Sequence, residues 1–216
     1  MNYTKGTGTE IVMKYGLIAR AMPLIFDRSV CKYLSEDGVT VDKKMRKSFR
    51  QEYKAIVSRT PGLARDNWLS STLYLGCYLI SIHKAAPEII TEERFERLIR
   101  ALCEEMERRQ KESDEAFDEK NIVKRKMAAE KSQSSAYEMD WVSTFKQHNA
   151  DEYEFTYTKC DLCELGKREE CFHLIKYLCM SDYVTFNKSG ARLVRDHTIA
   201  NGDGYCDFHV YRKEMK

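Results

Sequence analysis

Hydrophobic periodicity divides the chain into two parts of different character. From about residue 10 to residue 106, apolar side chains recur three and four positions apart, which is the spacing of amphipathic helices. After residue 140, apolar and polar side chains alternate, as they do along β-strands. Helices and strands in separate parts of a chain are typical of α+β folds. We therefore predict a single α+β domain over residues 1–216, with a helical part, 1–137, packed on a strand-rich part, 138–216.

Five helices are predicted in the helical part. They span residues 10–34, from 42 to the break at 61–62, 66–84, from 91 to about 106, and 121–137, the last one weak. Pro23 falls inside the first helix and predicts a kink there. Asp42 and Thr91 are suitable N-caps for the second and fourth helices. The third helix is apolar on most of its faces, so we expect it to be the central and most buried one.

The strand-rich part is predicted to form an antiparallel sheet with one face covered by the helices. Its strands are expected at 141–146, 153–159, 182–187, 191–199 and 205–211. One helix is interposed after the second strand, because apolar residues recur there at helical spacing: Cys171, Leu174, Ile175 and Leu178. Turn-forming residues at 188–190 and 201–204 separate the last three strands.

Charge and hydropathy indicate which kinds of molecule this protein is expected to bind. The 36 Lys and Arg residues and 34 Asp and Glu residues nearly cancel, to a net charge of +2, so no basic surplus indicates nucleic-acid binding. The first ten residues lack the apolar core of a signal peptide, and the longest apolar run, 73–82, is too short to cross a bilayer. We expect a soluble, cytoplasmic protein with a small-molecule substrate and no nucleic-acid or membrane partner. Whether it forms a homo-oligomer is left open.

The eight cysteines are expected to be free thiols, since a chain of this length without a secretion signal rarely relies on disulfides. Cys31, Cys77 and Cys103 lie in the helical part, where cysteine usually serves as a small buried hydrophobe. The other five lie between residues 153 and 211, together with three of the five histidines. The chemistry is therefore expected in the strand-rich part.

Four short pieces of the strand-rich part form a recognisable pattern. They are Cys160, the run CMSDY at 179–183, the run RDHTIA at 195–200 and the run GDGYCDF at 202–208. This pattern resembles the L-2-amino-thiazoline-4-carboxylic acid hydrolase family, and the pair Asp140-Trp141 is similar to the family as well. The resemblance implies a hydrolase, with no cofactor, that opens a small carboxylated C–N/C–S heterocycle.

The substrate that the resemblance implies is a five-membered cyclic isothiourea bearing a carboxylate. Water must add to the carbon between nitrogen and sulfur, after which the ring opens to a carbamoyl-cysteine. Such a reaction needs a nucleophile or a base that activates water, a proton for the leaving atom, and a cation for the carboxylate.

The positions that match the family supply these groups. Cys160 is predicted to be the nucleophile, because the helical stretch that follows it favours a thiolate, with Asp182 handling the proton and Cys206 shaping the pocket. Arg195 is predicted to bind the substrate carboxylate, since a guanidinium group binds carboxylates through two hydrogen bonds. Further substrate contacts are assigned to Tyr183, Thr198 and Asp207.

Alternatives stay open at several of these positions. The cysteines could serve packing alone, in which case Asp182 would activate water directly. Arg195 could pair across the sheet with Glu154 or Asp207. His197 and His209 are further candidates for a general acid. His173 is expected to lie in the core.

Two other functions also stay open. Cys160 and Cys163 form a C-x2-C pair, followed by Cys171 and Cys179, but the second tight pair typical of zinc sites is absent, so no metal site is predicted. The run at 202–208 also resembles vinyl-reductase-type small-molecule-binding domains, which makes a non-catalytic binding module the other alternative. The basic run at 124–126 is expected to form a solvated surface rather than an anion site.

Overall fold

The computed structural model describes residues 12–64 and 67–214, and this part of the chain contains eight α-helices and four strands. The helices are α1 Leu17–Glu36, α2 Lys43–Arg59, α3 Ser70–Ala85, α4 Glu92–Arg109, α5 Glu119–Ser132, α6 Asp161–Arg168, α7 Phe172–Leu178 and α8 Met180–Lys188. The strands are β1 Val142–Asn149, β2 Glu152–Lys159, β3 Ala191–Val194 and β4 Cys206–Arg212. Short 3-10 helices lie at Glu115–Phe117 and Ile199–Asn201. The predicted α+β class is confirmed.

The predicted N-caps of α2 and α4 are confirmed. The Asp42 side chain accepts a hydrogen bond from the backbone N–H of Met45 at 2.7 Å. The Thr91 hydroxyl accepts one from the backbone N–H of Arg94 at 3.4 Å. Each bond satisfies an N–H group that the first turn of a helix leaves without a partner.

The start of α1 differs from the prediction. The backbone N–H of Met13 donates to the carbonyl of Thr60 at 2.8 Å, an extended pairing that a helix over these residues would exclude. The helix therefore begins at Leu17 rather than at residue 10, and residues 10 and 11 lie outside the described part of the chain. It then continues through Pro23 without interruption.

α3 is the most buried helix, as predicted. Eight of its residues are buried, and it packs against α1, α2 and α6. Its predicted start at residue 66 lies outside the described part of the chain. With α1, α2, α4, α6 and α7 it encloses the larger of two hydrophobic cores. None of the helices in the described ranges is both long and apolar enough to cross a membrane.

The four strands form one antiparallel sheet in the order β1-β2-β4-β3. Phe155 of β2 is paired in register with Phe145 of β1 and with Phe208 of β4. The alternation predicted along β2 is confirmed, because Tyr153 and Phe155 are buried while their polar neighbours are more accessible.

The predicted strand at 182–187 is wrong, because this stretch lies in α8. Three helices, rather than one, therefore separate β2 from β3. The local alternation fits a strand, but Phe186 is the only buried residue of α8, and its ring packs onto Phe155 and Phe208 from a helix above the sheet. Contacts distant in sequence thus override the local pattern. The strand predicted at 191–199 ends at Val194.

The sheet has a second core on one of its faces. α5 packs against β1 and α8 packs against β3, so these two helices supply most of the cover predicted for the sheet, while α1 to α4 mainly pack on one another and on α6, α7 and α8. Within this core the rings of Phe155 and Phe208 stack with centroids 4.4 Å apart. The two cores meet at Tyr157 and Ile199, which pack against both.

Candidate functional site

Cys160 lies at the junction between β2 and α6. β2 ends at Lys159 and α6 begins at Asp161, so Cys160 is the N-cap residue of the helix. Its side chain is partly accessible, whereas Cys163 lies one turn into the helix and is buried. The first turn of a helix presents unpaired N–H groups and a partial positive charge, both of which stabilise an anion. The C-x2-C pair therefore has one accessible thiol at the helix end and one buried thiol behind it.

The pKa values of these two thiols move in opposite directions. A hydrogen bond from the Cys163 thiol lowers the pKa of Cys160; burial opposes this effect, and the backbone N–H groups of Cys163 and Leu162 add to it. The same hydrogen bond with Cys160, together with burial, raises the pKa of Cys163. A lowered pKa at the helix end is the property that makes one thiol of such a pair nucleophilic.

Two glycines let α6 approach its neighbours closely enough to hold Cys160 in this place. A Cβ atom on Gly166 would lie 2.5 Å from Cγ1 of Ile175 in α7. A Cβ atom on Gly76 in α3 would lie 2.4 Å from Cδ2 of Leu162. Both distances are shorter than carbon atoms tolerate, so a larger residue at either position would force Ile175 or Leu162 to move.

Asp182 and Arg195 form an ion pair in the same region. Nη1 of Arg195 lies 2.7 Å from Oδ2 of Asp182, and its Nη2 donates to the carbonyl of Cys179 at 3.1 Å. The guanidinium group also lies over the rings of Tyr183 and Phe208, at 5.0 and 4.8 Å from their centroids. The Arg195 side chain is 3% exposed and that of Asp182 is 37% exposed. The guanidinium group is thus enclosed, whereas the carboxylate is partly exposed.

The surroundings of Asp182 and Arg195 affect the roles predicted for both residues. Burial raises the pKa of Asp182, and the positive charges of Arg195 and Arg125 oppose this rise. Because the charge of Arg195 is already compensated by Asp182, its assignment to a substrate carboxylate stays a prediction. Its Nε atom is buried and makes no hydrogen bond within the described residues. The cross-strand pairing considered from the sequence, with Glu154 or Asp207, is not found there.

Three of the predicted site residues hold the loop between β3 and β4. Their side chains accept hydrogen bonds from backbone N–H groups of that loop: Asp207 from His197 at 2.6 Å, Thr198 from Asn201 at 3.2 Å and Cys206 from Ile199 at 3.2 Å. Gly202, with φ of +99°, ends the 3-10 helix in a left-handed conformation that other residues rarely adopt. These bonds pull the chain out of the sheet after Val194, which is why the predicted strand is shorter.

Electrostatic interactions show which of the predicted residues lie near one another. Burial raises the pKa of Cys179, Asp182 and Cys160 raise it further, and Arg195 opposes the rise. Burial also raises the pKa of Cys206 to about 11, with smaller contributions from Cys160 and Asp182. The fold thus brings together Cys160, Asp182, Cys206 and Arg195, which are separated by up to 46 positions in the sequence. Tyr183 is 43% exposed beside them.

The histidines lie outside this group of contacts. His173 is exposed, so its predicted place in the core is wrong, because α7 buries the neighbouring face of the helix instead. His197 lies 3.5 Å from the Asp207 carboxylate, and His209 lies 3.6 Å from that of Glu154. A role for either of these two as a general acid stays a prediction.

A cavity of about 310 Å³ lies beside this group, and the sequence did not predict it. Aromatic side chains from six positions form much of its wall: Trp68, Tyr137, Trp141, Phe145, Phe155 and Tyr157. Tyr157 connects the cavity to the thiols, because it lines the cavity and is paired in register with Cys206. Burial raises the pKa of Tyr157, and the nearby Asp182 and Cys160 contribute in the same direction, against Arg125. Cys160, Asp182, Cys206 and Arg195 are not among the residues that line the cavity.

One end of the cavity carries polar groups. Asp140 is buried and accepts hydrogen bonds from the side-chain amide of Asn67 and from the hydroxyl of Ser135, the latter at 2.5 Å. The Asn67 side chain is itself fixed, since its Oδ1 accepts from the backbone N–H of Leu69 at 2.8 Å. Asp140 therefore has a defined orientation in the wall of the cavity.

Arg125 of α5 also lines the cavity, so the predicted solvated surface at 124–126 is wrong for this residue. Lys124 and Lys126 are exposed, but Arg125 points toward the aromatic core, with its guanidinium carbon 5.2 Å from the ring centroid of Phe186 and 5.3 Å from that of Trp68. The sequence carried one signal for this, namely that 125 lies three positions after the buried Ile122 on the same helical face.

A second cavity, of about 420 Å³, lies among α1, α3 and α4 and is lined mainly by aliphatic side chains. It borders Leu162 and Ser181 but none of the predicted site residues. In the described ranges, no three His, Cys, Asp or Glu side chains come together as a metal site would require. The absence of a metal site nevertheless stays a prediction.

Comparison with known protein families gives a match that covers most of the residues described above. The family model described as L-2-amino-thiazoline-4-carboxylic acid hydrolase matches residues 71–210. No curated protein matches the chain. Among solved structures, the chain is similar to an Fe(II) unliganded H-NOX protein mutant from K. algicida, at 12% identity and a TM-score of 0.30, over 91% of this chain and 96% of that chain. Similarity at this TM-score supports no statement about fold or function.

Proposed function

We propose that this chain, which belongs to the L-2-amino-thiazoline-4-carboxylic acid hydrolase family, is a hydrolase that opens a small carboxylated C–N/C–S heterocycle. The observation that carries the proposal is the position of Cys160. Cys160 is the N-cap residue of α6, the Cys163 thiol and nearby backbone N–H groups lower its pKa, and it lies near the Asp182–Arg195 pair. A nucleophile beside a positioned carboxylate is the minimum that this reaction class requires.

The chemistry begins at the ring carbon between nitrogen and sulfur. The Cys160 thiolate adds to this carbon, and the tetrahedral adduct expels the ring sulfur, which takes a proton and becomes a thiol. The enzyme then carries an isothiourea on Cys160. Water adds to the same carbon and the Cys160 thiolate leaves, so that the carbon keeps the oxygen of water as a carbamoyl group. The sum is one substrate and one water converted to one carbamoyl-cysteine.

Asp182 is assigned to proton transfer in both halves of this reaction. Its raised pKa and its accessible side chain suit a group that gives a proton to the leaving sulfur and later takes one from water. Arg195 holds the Asp182 carboxylate in place, and Cys206 accepts a hydrogen bond from Ile199 that holds the loop between β3 and β4. Thr198 and Asp207 contribute by holding the loop, and Tyr183 borders the site from α8.

The experiment is turnover of L-2-amino-thiazoline-4-carboxylate by the purified chain. We expect release of one thiol per substrate, and a product whose mass equals that of the substrate plus one water. Cys160→Ser should abolish thiol release, whereas Cys103→Ser, at a partly buried cysteine in α4, is the matched control and should retain it. Intact-protein mass spectrometry after rapid quenching should show the substrate mass added to wild type but not to Cys160→Ser.

A second function, binding without turnover, is supported by a different observation. The aromatic cavity is well formed, yet Cys160 and Asp182 do not line it. A pocket next to, but not containing, the reactive groups would suit a small-molecule sensor. Saturable binding of the same compound without product, and without a covalent adduct on Cys160, would favour this function over hydrolysis.

A further inference from the structure

Among residues 12–64 and 67–214, the guanidinium group of Arg125 has no partner of opposite charge. It makes no hydrogen bond or ion pair with any described residue, and its Nε atom is buried without a hydrogen bond. A buried donor without an acceptor is costly, and such groups in native proteins call for an explanation. Arg195, whose side chain is enclosed in the same region, differs from the partly buried Arg125, because Asp182 and the Cys179 carbonyl already occupy its Nη atoms.

Aromatic rings hold Arg125 in position without neutralising its charge. Its guanidinium carbon lies 5.2 to 5.9 Å from the ring centroids of four side chains: Trp68, Tyr153, Phe155 and Phe186. Rings at these distances attract a cation and fix its orientation, but they leave its N–H groups free to donate. The arrangement thus presents a fixed cation to the cavity.

Asp140 supplies a negative charge at the polar end of the cavity. Each of its two oxygens accepts one hydrogen bond from the protein, from Asn67 and Ser135, so each retains one lone pair. A ligand group with N–H donors, such as an amidine, would complete this acceptor. The same cavity therefore contains a cation that has no charged partner in the described part of the chain, and an anion with spare acceptor capacity.

The space between them suits a small planar molecule. The volume of about 310 Å³ falls at the lower end of the range for ligand pockets, roughly 300–1,000 Å³. Its walls are largely aromatic, and flat rings pack well on aromatic surfaces. A carboxylated five-membered ring with an exocyclic nitrogen combines these features.

We propose that the aromatic cavity binds a small planar carboxylate, with Arg125 holding the carboxylate and Asp140 receiving the N–H groups at the other end. The proposal deepens the hydrolase function and rests on it for the identity of the ligand. It assigns the substrate carboxylate to Arg125 rather than to Arg195. The bound ring would lie against Tyr157, the residue of the cavity wall that also lies near Cys160.

The two tryptophans of the chain make binding measurable without turnover, because both Trp68 and Trp141 line the cavity. Tryptophan fluorescence is titrated with L-2-amino-thiazoline-4-carboxylate and with 2-amino-thiazoline, which lacks the carboxylate. Wild type should bind the acid about 10- to 100-fold more tightly, as expected for a charge-assisted pair. Arg125→Met should remove this preference by weakening the acid alone, and Arg125→Lys should restore part of it.

Lys126→Met is the matched control, because Lys126 is the exposed neighbour of Arg125 on the same helix. It should leave both affinities unchanged. Far-ultraviolet circular dichroism and the melting temperature establish that each variant is folded. Asp140→Asn should weaken both ligands, because both carry the amidine nitrogen.

The possible results test the proposed binding site and the proposed hydrolase function separately. Equal affinity of wild type for the two ligands, or equal loss with Arg125→Met and Lys126→Met, would overturn the proposed site, whatever the turnover. Carboxylate-selective binding that depends on Arg125, without any product, would support the site and refute the hydrolase function. Product formation with an unchanged KM in Arg125→Met would support the hydrolase function and refute the site.

Discussion

Arg195 donates to Asp182 from a side chain that is 3% exposed, whereas the side chain of Asp182 is 37% exposed. The two residues are 13 positions apart and belong to different elements, α8 and the segment after β3. The asymmetry in exposure indicates that the arginine supports the carboxylate from behind. A substrate can then contact the Asp182 carboxylate without displacing Arg195.

Arg195→Gln should shift the pH dependence of turnover rather than the affinity for substrate. Arg195 opposes the rise in the pKa of Asp182, so its loss should raise that pKa and move the limb of the rate profile that reports on Asp182 to higher pH. Arg195→Lys keeps the charge and should shift the limb less. The loss of a charge-assisted hydrogen bond should also lower the free energy of unfolding by roughly 1.5–3 kcal/mol. A raised KM without a shifted limb would instead place Arg195 on the substrate carboxylate, as the sequence predicts.

Iodoacetamide at mildly acidic pH should modify Cys160 before any other cysteine. Its pKa is lowered, chiefly by the Cys163 thiol, whereas burial raises those of Cys103, Cys171 and Cys206. Peptide mass spectrometry at increasing reaction times gives the order. A substrate analogue should protect Cys160.

Cys163→Ala tests the cause of this reactivity. It removes the thiol that donates to Cys160, so the pKa of Cys160 should rise and the alkylation profile should move to higher pH. Cys31→Ala, at a buried cysteine of α1, is the matched control and should leave the profile unchanged. Unaltered labelling in Cys163→Ala would mean that the thiol pair does not activate Cys160.

Asp161→Asn should increase stability at alkaline pH. Asp161 is fully buried, neither of its oxygens has a hydrogen-bond partner in the described residues, and burial raises its pKa to about 8. An unfolded aspartate has a pKa of about 3.9, so the folded state holds a proton that the unfolded state loses, and stability falls as pH rises from about 4 to 8. Asparagine does not titrate, so the Asp161→Asn variant does not lose stability in this way as the pH rises. Its melting temperature relative to wild type should therefore be higher at pH 9 than at pH 4; the reverse order would contradict the pKa shift.

Glu169→Gln should destabilise the helical core without changing the chemistry. Glu169 is 4% exposed, and its carboxylate lies 2.6 Å from Arg59 and 2.9 Å from Lys84. Replacing it removes the carboxylate partner of Lys84 and one of the two carboxylate partners of Arg59, at a cost of roughly 2–3 kcal/mol. Chemical denaturation measures the loss. Turnover per folded molecule should stay at the wild-type value, since none of these residues contacts Cys160 or lines the aromatic cavity.

The isolated protein should contain no stoichiometric zinc or iron. A metal would need several thiolates, but burial raises the pKa values of Cys171, Cys179 and Cys206 and so disfavours that state. Elemental analysis of protein purified without chelator tests this. One metal per chain that is lost in Cys163→Ser would establish a metal centre at the thiol pair.

Much of the secondary structure was predictable because its causes are local. The caps Asp42 and Thr91 act within one turn, and the alternation around Phe155 depends only on the period of a strand. The family pattern likewise selected Cys160, Asp182, Cys206 and Arg195 from the sequence, and the fold places them together.

The features that the sequence alone did not determine depend on contacts between distant elements. The stretch around Phe186 alternates like a strand, yet it is helical because its ring packs onto Phe155 and Phe208 from above the sheet. Arg125 sits in a basic run that looks solvated, yet α5 lies on the sheet and turns this one side chain toward the aromatic cavity. Spacing along the chain decides how a segment can fold locally, whereas the burial available against other segments decides which of its side chains meet and can act together.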